Sequence, residues 1–355
     1  MKKTKQPIYK VIVNDMIKNI DDGKWQKGKS IPPINDLVNM YPASRMTVLK
    51  AMHLLEEEGY VTVEYGRGTI VRNELPRKRI GILCGDNIFS IPPPLFPLAI
   101  CNGLSAMLIE EFYQPNFYMM QEHMRDSTPY PNQSLALDIK RENLKGLILV
   151  STDPLPALCK ELMEKKIPIV DVGGNEDLKH HITMNEGHFI SESISFLSSK
   201  KIKSAAFMTG STIMFRKFTD ACAENNIKCI WKETRGNDSS VVSFQSPIPE
   251  ADGYNYFNTL WDAYLEKPQV LLISDDIMAK GAAQAISARG IKVPEDLIVI
   301  SVTNSGIPLF YPIPVIRYEY DTKKIISTAC KLLFDQITGK NPESPAPING
   351  KFKYK

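Results

Sequence analysis

None of the six cysteines in this 355-residue chain is part of a C-x-x-C pair, and none sits in a Cys/His cluster of zinc spacing. A thioredoxin-type redox motif and a zinc-ribbon site are thereby excluded. Cys84, Cys101, Cys159, Cys222, Cys229 and Cys330 lie mostly in apolar runs, where reduced core thiols are expected. No apolar run approaches the roughly 18 residues of a membrane span. The opening stretch MKKTKQPIYK is basic but has no apolar h-region. The expectation is a cytoplasmic protein with no membrane partner. Catalytic signatures are missing too: there is no G-x-S-x-G, no G-x-x-x-x-G-K-[ST] and no H-E-x-x-H. Of the five histidines (His53, His123, His180, His181 and His188), the adjacent pair His180-His181 reads as an ordinary loop pair. The chain is read as a non-enzyme with no cofactor and no metal.

Charge is present in ordinary amount but unevenly placed. Residues 1–79 hold 15 of the 43 Lys and Arg but only 9 of the 40 Asp and Glu, a surplus of six positive charges. The remainder is slightly acidic. A basic head on a mildly acidic body suits a head that meets a polyanion. At this length the chain has room for two or three domains.

Within the head, Tyr41–Met52 is the organising stretch. Ser44 is a good N-cap, since its hydroxyl can accept a first-turn N–H. Val48, Ala51, Met52 and Leu55 then share one face at helical spacing. Arg45, Thr47, Leu49, Lys50 and His53 fall largely on the others, and Gly59 suits the closing left-handed position. An earlier helix starts after Pro7 and ends at Asp21-Asp22-Gly23. A short helix spans Asn35–Met40. Strands at Tyr60–Val63 and Thr69–Arg72 flank a tight loop holding Gly66-Arg67-Gly68. Three helices and a hairpin make a winged helix-turn-helix. Its recognition helix would enter a major groove and its wing tip approach a phosphate or the minor groove. The candidate DNA-binding residues are Asn35, Ser44, Arg45, Thr47, Lys50, Gly66, Arg67 and Gly68.

This head, residues 1–73, resembles the DNA-binding domain of the GntR family of bacterial transcription regulators. The matching residues are Tyr9, Gly23-x-Trp25-x-x-Gly28-x-x-Ile31-Pro32, Leu37, Ser44-Arg45-Met46-Thr47-Val48, Ala51-Met52, Leu55, Gly59 and Gly68-Thr69-x-Val71. The family usually opens its second helix with Pro-Ser-x-Arg, where this chain has Pro33 and Asn35. The family's second Arg, just after Thr-Val, is Leu49 here. An Asn can read adenine bidentately where Arg prefers guanine, and Asn35 is equally suited to capping a helix.

A linker is expected at residues 74–78. From Arg79 onward, strands and helices alternate. Strands are expected at Arg79–Cys84, Asn116–Gln121, Gly146–Val150, Ile167–Val172, Ser204–Thr209, Ile227–Glu233, Gln269–Ser274, Leu297–Val302 and Val315–Tyr320. This rhythm implies parallel sheets covered on both faces. Two α/β halves of this size leave a ligand cleft at their strand C-terminal ends. Residues 79–355 resemble the effector-binding domain of the lac/galactose repressor family, related to periplasmic sugar-binding proteins. Leu272–Gly290, LISDDIMAKGAAQAISARG, carries the best match, followed by Val293-Pro294-x-Asp296. Arabinose-repressor-like regulators join the same two domains.

The fold class expected is therefore an α+β winged helix-turn-helix head followed by an α/β periplasmic-binding-protein-like domain of two parallel-sheet lobes. By resemblance, Asp276 accepts hydroxyls of a sugar and Arg216 donates to them. Asp171 and Asp86, at the ends of strands, and Phe96, a ring for stacking, complete the candidate effector site. Asp275 reads as a helix N-cap. These features imply a homodimeric transcription regulator, a repressor by preference, whose partners are double-stranded operator DNA and a small carbohydrate. The alternatives are a non-sugar metabolite such as a sugar phosphate, nucleobase or amino acid, or a fusion of the head to an enzyme.

Overall fold

A computed structural model describes residues 7–73, 75, 78–91, 93–120, 131–152, 155–173, 178–231 and 249–353. Glu74, Pro76 and Arg77 of the expected linker, Gln121, His123, and the continuation of the Ile227–Glu233 strand beyond Trp231 lie outside the described residues. The chain forms two compact units, Met1–Lys78 and Arg79–Lys355.

The first unit is built from α1 (Ile8–Asp21), α2 (Ile34–Met40), α3 (Arg45–Glu57) and an antiparallel hairpin of β1 (Val61–Glu64) and β2 (Gly68–Val71). Ser44 caps α3, its hydroxyl accepting the Thr47 N–H at 3.2 Å. Gly59, at φ +82°, turns the chain out of the helix into the hairpin. Ile12, Val13, Met16 and Ile20 of α1 face Leu37 of α2 and Val48, Ala51 and Leu55 of α3. Tyr60, Val61 and Val71 of the hairpin region close the same core. The helical periodicity of the sequence is thus the burial pattern of the head.

The second unit has two lobes. The first carries a sheet in the order β4-β3-β5-β6-β7: β3 (Lys78–Cys84), β4 (Tyr113–Met119), β5 (Leu144–Val150), β6 (Ile169–Val172) and β7 (His181–Ile182). β3, β5, β6 and β7 run parallel. Because strand side chains alternate, each strand feeds two cores. Ile80, Ile82, Ile148, Val150 and Val170 enter one, with α4 (Leu95–Glu110). Leu83, Leu147, Leu149 and Ile169 enter the other, with α5 (Gln133–Lys140) and α6 (Pro156–Glu164).

The second lobe holds α7 (Glu186–Ser199), β8 (Ser204–Met208), α8 (Thr212–Glu224), β9 (Lys228–Cys229), α9 (Pro249–Ala263), β10 (Val270–Ile273), α10 (Asp276–Ala288), β11 (Ile298–Asn304), β12 (Ile316–Tyr320) and β13 (Lys351–Lys353). Its sheet runs β13-β12-β11-β10-β8-β9, parallel except for β13. Helices α9 and α10 approach so closely that a Cβ on Gly281 would lie 1.9 Å from the Glu250 carbonyl oxygen.

Two features depart from the expected alternation. The helix after β12, α11 (Thr322–Ile337), does not close the second lobe. It crosses back, and Ile325, Ile326, Ala329, Cys330 and Leu333 join α4 on the first lobe's sheet. A single strand-to-helix rhythm gives no sign of which sheet a helix will cover. The chain then returns to pair β13 with β12. β13 and β7, at three and two residues, are too short to show a periodic pattern.

The lobes are therefore joined by three crossings, which meet at Asn185. The Asn185 N–H donates to the Ile348 carbonyl at 2.8 Å, and its amide nitrogen donates to Asn349 at 2.9 Å. The Tyr320 hydroxyl donates to the Asn185 carbonyl at 3.1 Å. The Asn185 side-chain oxygen caps α7 by accepting the His188 N–H at 3.0 Å.

Candidate functional site

Two regions gather the residues singled out from the sequence. On the head, Arg45 opens α3, and its guanidinium donates to the Asn35 side-chain oxygen at 2.8 Å. Asn35 lies in the first turn of α2, whose N-cap is Pro33 with no side-chain bond. Asn35 is thus not the cap and serves as a bracket for Arg45. Its amide NH2 and the remaining guanidinium N–H groups stay available for further bonds. The Ser44 and Thr47 hydroxyls are bonded to each other at 2.8 Å. Lys50 places its ammonium 4.2 Å from the centre of the Tyr9 ring, a cation–π contact that steadies a long flexible side chain. In the wing, Gly66 (φ +77°) and Gly68 (φ +83°) supply the left-handed turn. Arg67 between them donates to Glu64 at 2.7 Å. Each of the three cations in this set is exposed and has one partner within the head.

In the two-lobed unit, a cavity of about 310 Å³ opens beside the crossings. The first lobe gives it an apolar wall, with Phe96 from the first turn of α4, Val172 from β6, Ile182 from β7 and Ile325 from α11. The second lobe gives it Glu186 and Gly187 at the start of α7, and Lys217 of α8. Desolvation holds the Glu186 carboxyl above its ordinary range, and the Lys217 ammonium works against that rise.

A second polar cluster stands at the C-terminal ends of β10 and β11. The Asp275 carboxylate accepts the Met278 N–H at 2.7 Å and so caps α10, as expected. Asp276 is buried, at 4% exposure, and accepts from the Asn304 amide at 3.1 Å. Its carboxyl pKa is pushed up to about 6, first by burial and then by the neighbouring Asp275 charge, with the Asn304 bond opposing. The Tyr311 hydroxyl donates to the Asp276 carbonyl at 3.3 Å. Asp276 is thus a carboxylate already supported on one side.

Of the five candidate effector residues, Phe96 lines the cavity directly. Asp171 is buried on β6, one residue before lining residue Val172. Asp86 follows β3 and is exposed. Arg216 is not at a strand end: it lies in α8, exposed, while the adjacent Lys217 faces the cavity. One position along a helix is a rotation of about 100°, so Arg216 and Lys217 leave α8 in different directions. Glu186 and Asn185 were not singled out. The Asn-Glu-Gly run, a helix start directly after an apolar stretch, was the signal available.

Comparison with known proteins bears on both regions. Residues 8–71 match the bacterial regulatory proteins of the gntR family, and residues 194–349 match the periplasmic binding protein-like domain. The chain joins a gntR-family head to a periplasmic-binding-protein-like domain. It is 24% identical over 216 residues to the HTH-type transcriptional regulator LacR of Lactobacillus helveticus, covering 58% of this chain and 63% of that protein. It is 28% identical over 169 residues to the HTH-type transcriptional repressor PurR of Mannheimia succiniciproducens, covering 48% and 45%. These alignments span less than two thirds of either relative. Among solved structures, a complex of the transcriptional regulator CelR with cellobiose has a TM-score of 0.62 at 17% identity, over 88% of this chain and 91% of that one. That likeness is one of fold. The gntR-type head contains Arg45 and its bracket, and the periplasmic-binding-protein-like domain contains the Asp276 cluster and Lys217. Among the described residues no helix is long and apolar enough to cross a membrane.

Proposed function

We propose that this chain is a DNA-binding transcription regulator, a repressor, whose hold on its operator is set by a small carbohydrate bound between the lobes of the second unit. The observation that carries the proposal is the pairing of a bracketed cationic recognition helix with a two-lobed domain jointed at three crossings. Asn35, Ser44, Arg45, Thr47, Lys50, Gly66, Arg67 and Gly68 form the DNA-facing set. Phe96 stacks on a sugar ring, and Asp276 accepts its hydroxyls. Asp171, Asp86 and Arg216 complete the shell as the lobes close. The cavity volume falls at the lower end of the range for small-molecule pockets, about 300–1,000 Å³.

The names of the relatives support regulation rather than catalysis, and the cellobiose complex supports a sugar. Lys217 favours one second reading, an effector that carries an anionic group such as a sugar phosphate. The protein acts in the cytoplasm as a homodimer. Exposed Ile109, Phe112 and Phe117 at the corner of α4 and edge strand β4 offer the apolar face on which a second copy packs.

The effector acts by binding one arrangement of the lobes better than the other, because equal affinity would shift nothing. The test is a thermal-shift screen of neutral sugars, sugar phosphates, nucleobases and amino acids, followed by gel-shift titration with each hit. A hit at 100 times its dissociation constant adds about 2.7 kcal/mol of stability. The expected result is a sugar that both stabilises the protein and releases DNA. A hit confined to nucleobases or amino acids would replace the sugar reading.

A further inference from the structure

The outward face of α3 is not uniformly polar. Val48, Ala51 and Leu55 point to the core, and the opposite side carries Met46, Leu49, Lys50 and His53. Met46 is 74% exposed and Leu49 40% exposed. They lie three residues apart, so they share one face, and Arg45 and Lys50 flank them. Neither side chain contributes to the head's core. Two solvated aliphatic groups between two cations fit a surface that is apolar at its centre and anionic at its margins. A major groove presents such a surface where thymines stand in it. Its phosphates lie along the edges, and the thymine C5-methyl is the only apolar group among its base edges.

We propose that Met46 and Leu49 read thymine methyl groups in each operator half-site, beside the base pair reached by Arg45. The inference rests on the reading of the head as an operator binder. Three residues of α-helix rise about 4.5 Å, against a step of about 3.4 Å along a DNA strand. The two side chains therefore address neighbouring base pairs. Where guanidinium groups would select guanines by hydrogen bonding, this helix selects A·T pairs by burial of a methyl group. Lys50, steadied on Tyr9, and Arg67 in the wing hold the backbone on either side and carry no base preference of their own.

The experiment begins with the full chain, used to select duplexes from a random-sequence pool. Each thymine of the selected half-site is then replaced singly by deoxyuridine, which removes the methyl and leaves every hydrogen-bonding group in place. The expected result is a loss of about fourfold in affinity at two neighbouring positions per half-site and no loss elsewhere. Leu49→Gln and Met46→Gln, both at exposed positions, should each abolish the loss at one of those positions and leave the other intact. Far-UV circular dichroism and the thermal midpoint confirm that the variants fold. Equal binding of thymine and deoxyuridine duplexes by the unaltered protein overturns the inference and leaves the operator-binding reading standing. Selection of no duplex at all overturns both.

Discussion

In the head, Arg45, Lys50 and Arg67 stand in solvent, each held by one neighbour: an amide, a ring and a carboxylate. In the two-lobed unit, Asp275 and Asp276 are enclosed, and burial raises the pKa of both. The two arrangements suit different tasks. An exposed pair adds little to stability, about 0–1 kcal/mol, so its partner can be exchanged for DNA with small penalty. A buried carboxylate keeps its charge against the surrounding medium. A ligand that supplies hydroxyl donors therefore gains most there, and so does a proton.

The comparison breaks most visibly if the head's core is not its own. Leu55→Ala leaves a hole in the cluster shared by α1, α2 and α3 and should destabilise the head by about 2–5 kcal/mol. Two-transition calorimetry should show the head's unfolding shifted and that of the two-lobed unit unmoved. A shift of both would merge the two units into one cooperative body.

Next in size is Asp276. Its carboxyl has an ordinary pKa of 3.8 and a folded value of about 6. The folded state thus takes up the proton first as pH falls, and stability rises as pH goes from above 6 towards 4. Asp276→Asn imitates the protonated form. It should be more stable than the unaltered protein at pH 8 by up to about 3 kcal/mol, the difference vanishing near pH 4. Denaturant titrations across that window check this, and parallel curves would remove Asp276 as the titrating group. A sugar that donates to this carboxylate should bind more weakly below pH 6.

Arg45→Ala should lower operator affinity by about ten- to a hundredfold, corresponding to about 1–3 kcal/mol. It should change stability by no more than about 0.5 kcal/mol. Loss of stability instead of affinity would make the Asn35–Arg45 pair a strut of the head. The smallest effect is expected for Glu64→Gln, which releases Arg67 and removes a negative charge from the wing. Operator affinity should rise by about two- to threefold in a low-salt gel shift, and the gain should shrink as salt screens it. A fall in affinity would mean that Glu64 aims Arg67 at the DNA.

The sequence makes some of this plain and leaves some of it hidden. Helix α3 is legible because all its signals are local: Ser44 at the start, Gly59 just past the end, and an apolar stripe between them. The longer strands of both sheets are legible for the same reason, whereas β7 and β13 are too short to carry a pattern. The placement of α11 is not, because an amphipathic helix covers equally well whichever sheet the chain brings it to. The Asn35–Arg45 bond joins side chains on two helices, and only the turn at Tyr41–Ser44 sets them face to face. At the cavity, Lys217 and Glu186 depend on the phase of α8 and on where α7 begins, details finer than the boundaries a pattern can fix. The resemblance that points to Arg216 marks α8, and the rotation of that helix decides that Lys217 lines the cavity.

The return of α11 has a consequence for how the protein is made. A ribosome that has delivered residues 79–183 has supplied every strand of the first sheet, yet the face shared with α4 still lacks Ile325, Ile326, Ala329 and Leu333. The second lobe, inserted between them in the sequence, is synthesised while that face is incompletely covered. The first lobe therefore completes its core only after the second lobe's strands β8 to β12 and then α11 have been made, out of step with the order in which its own strands are translated.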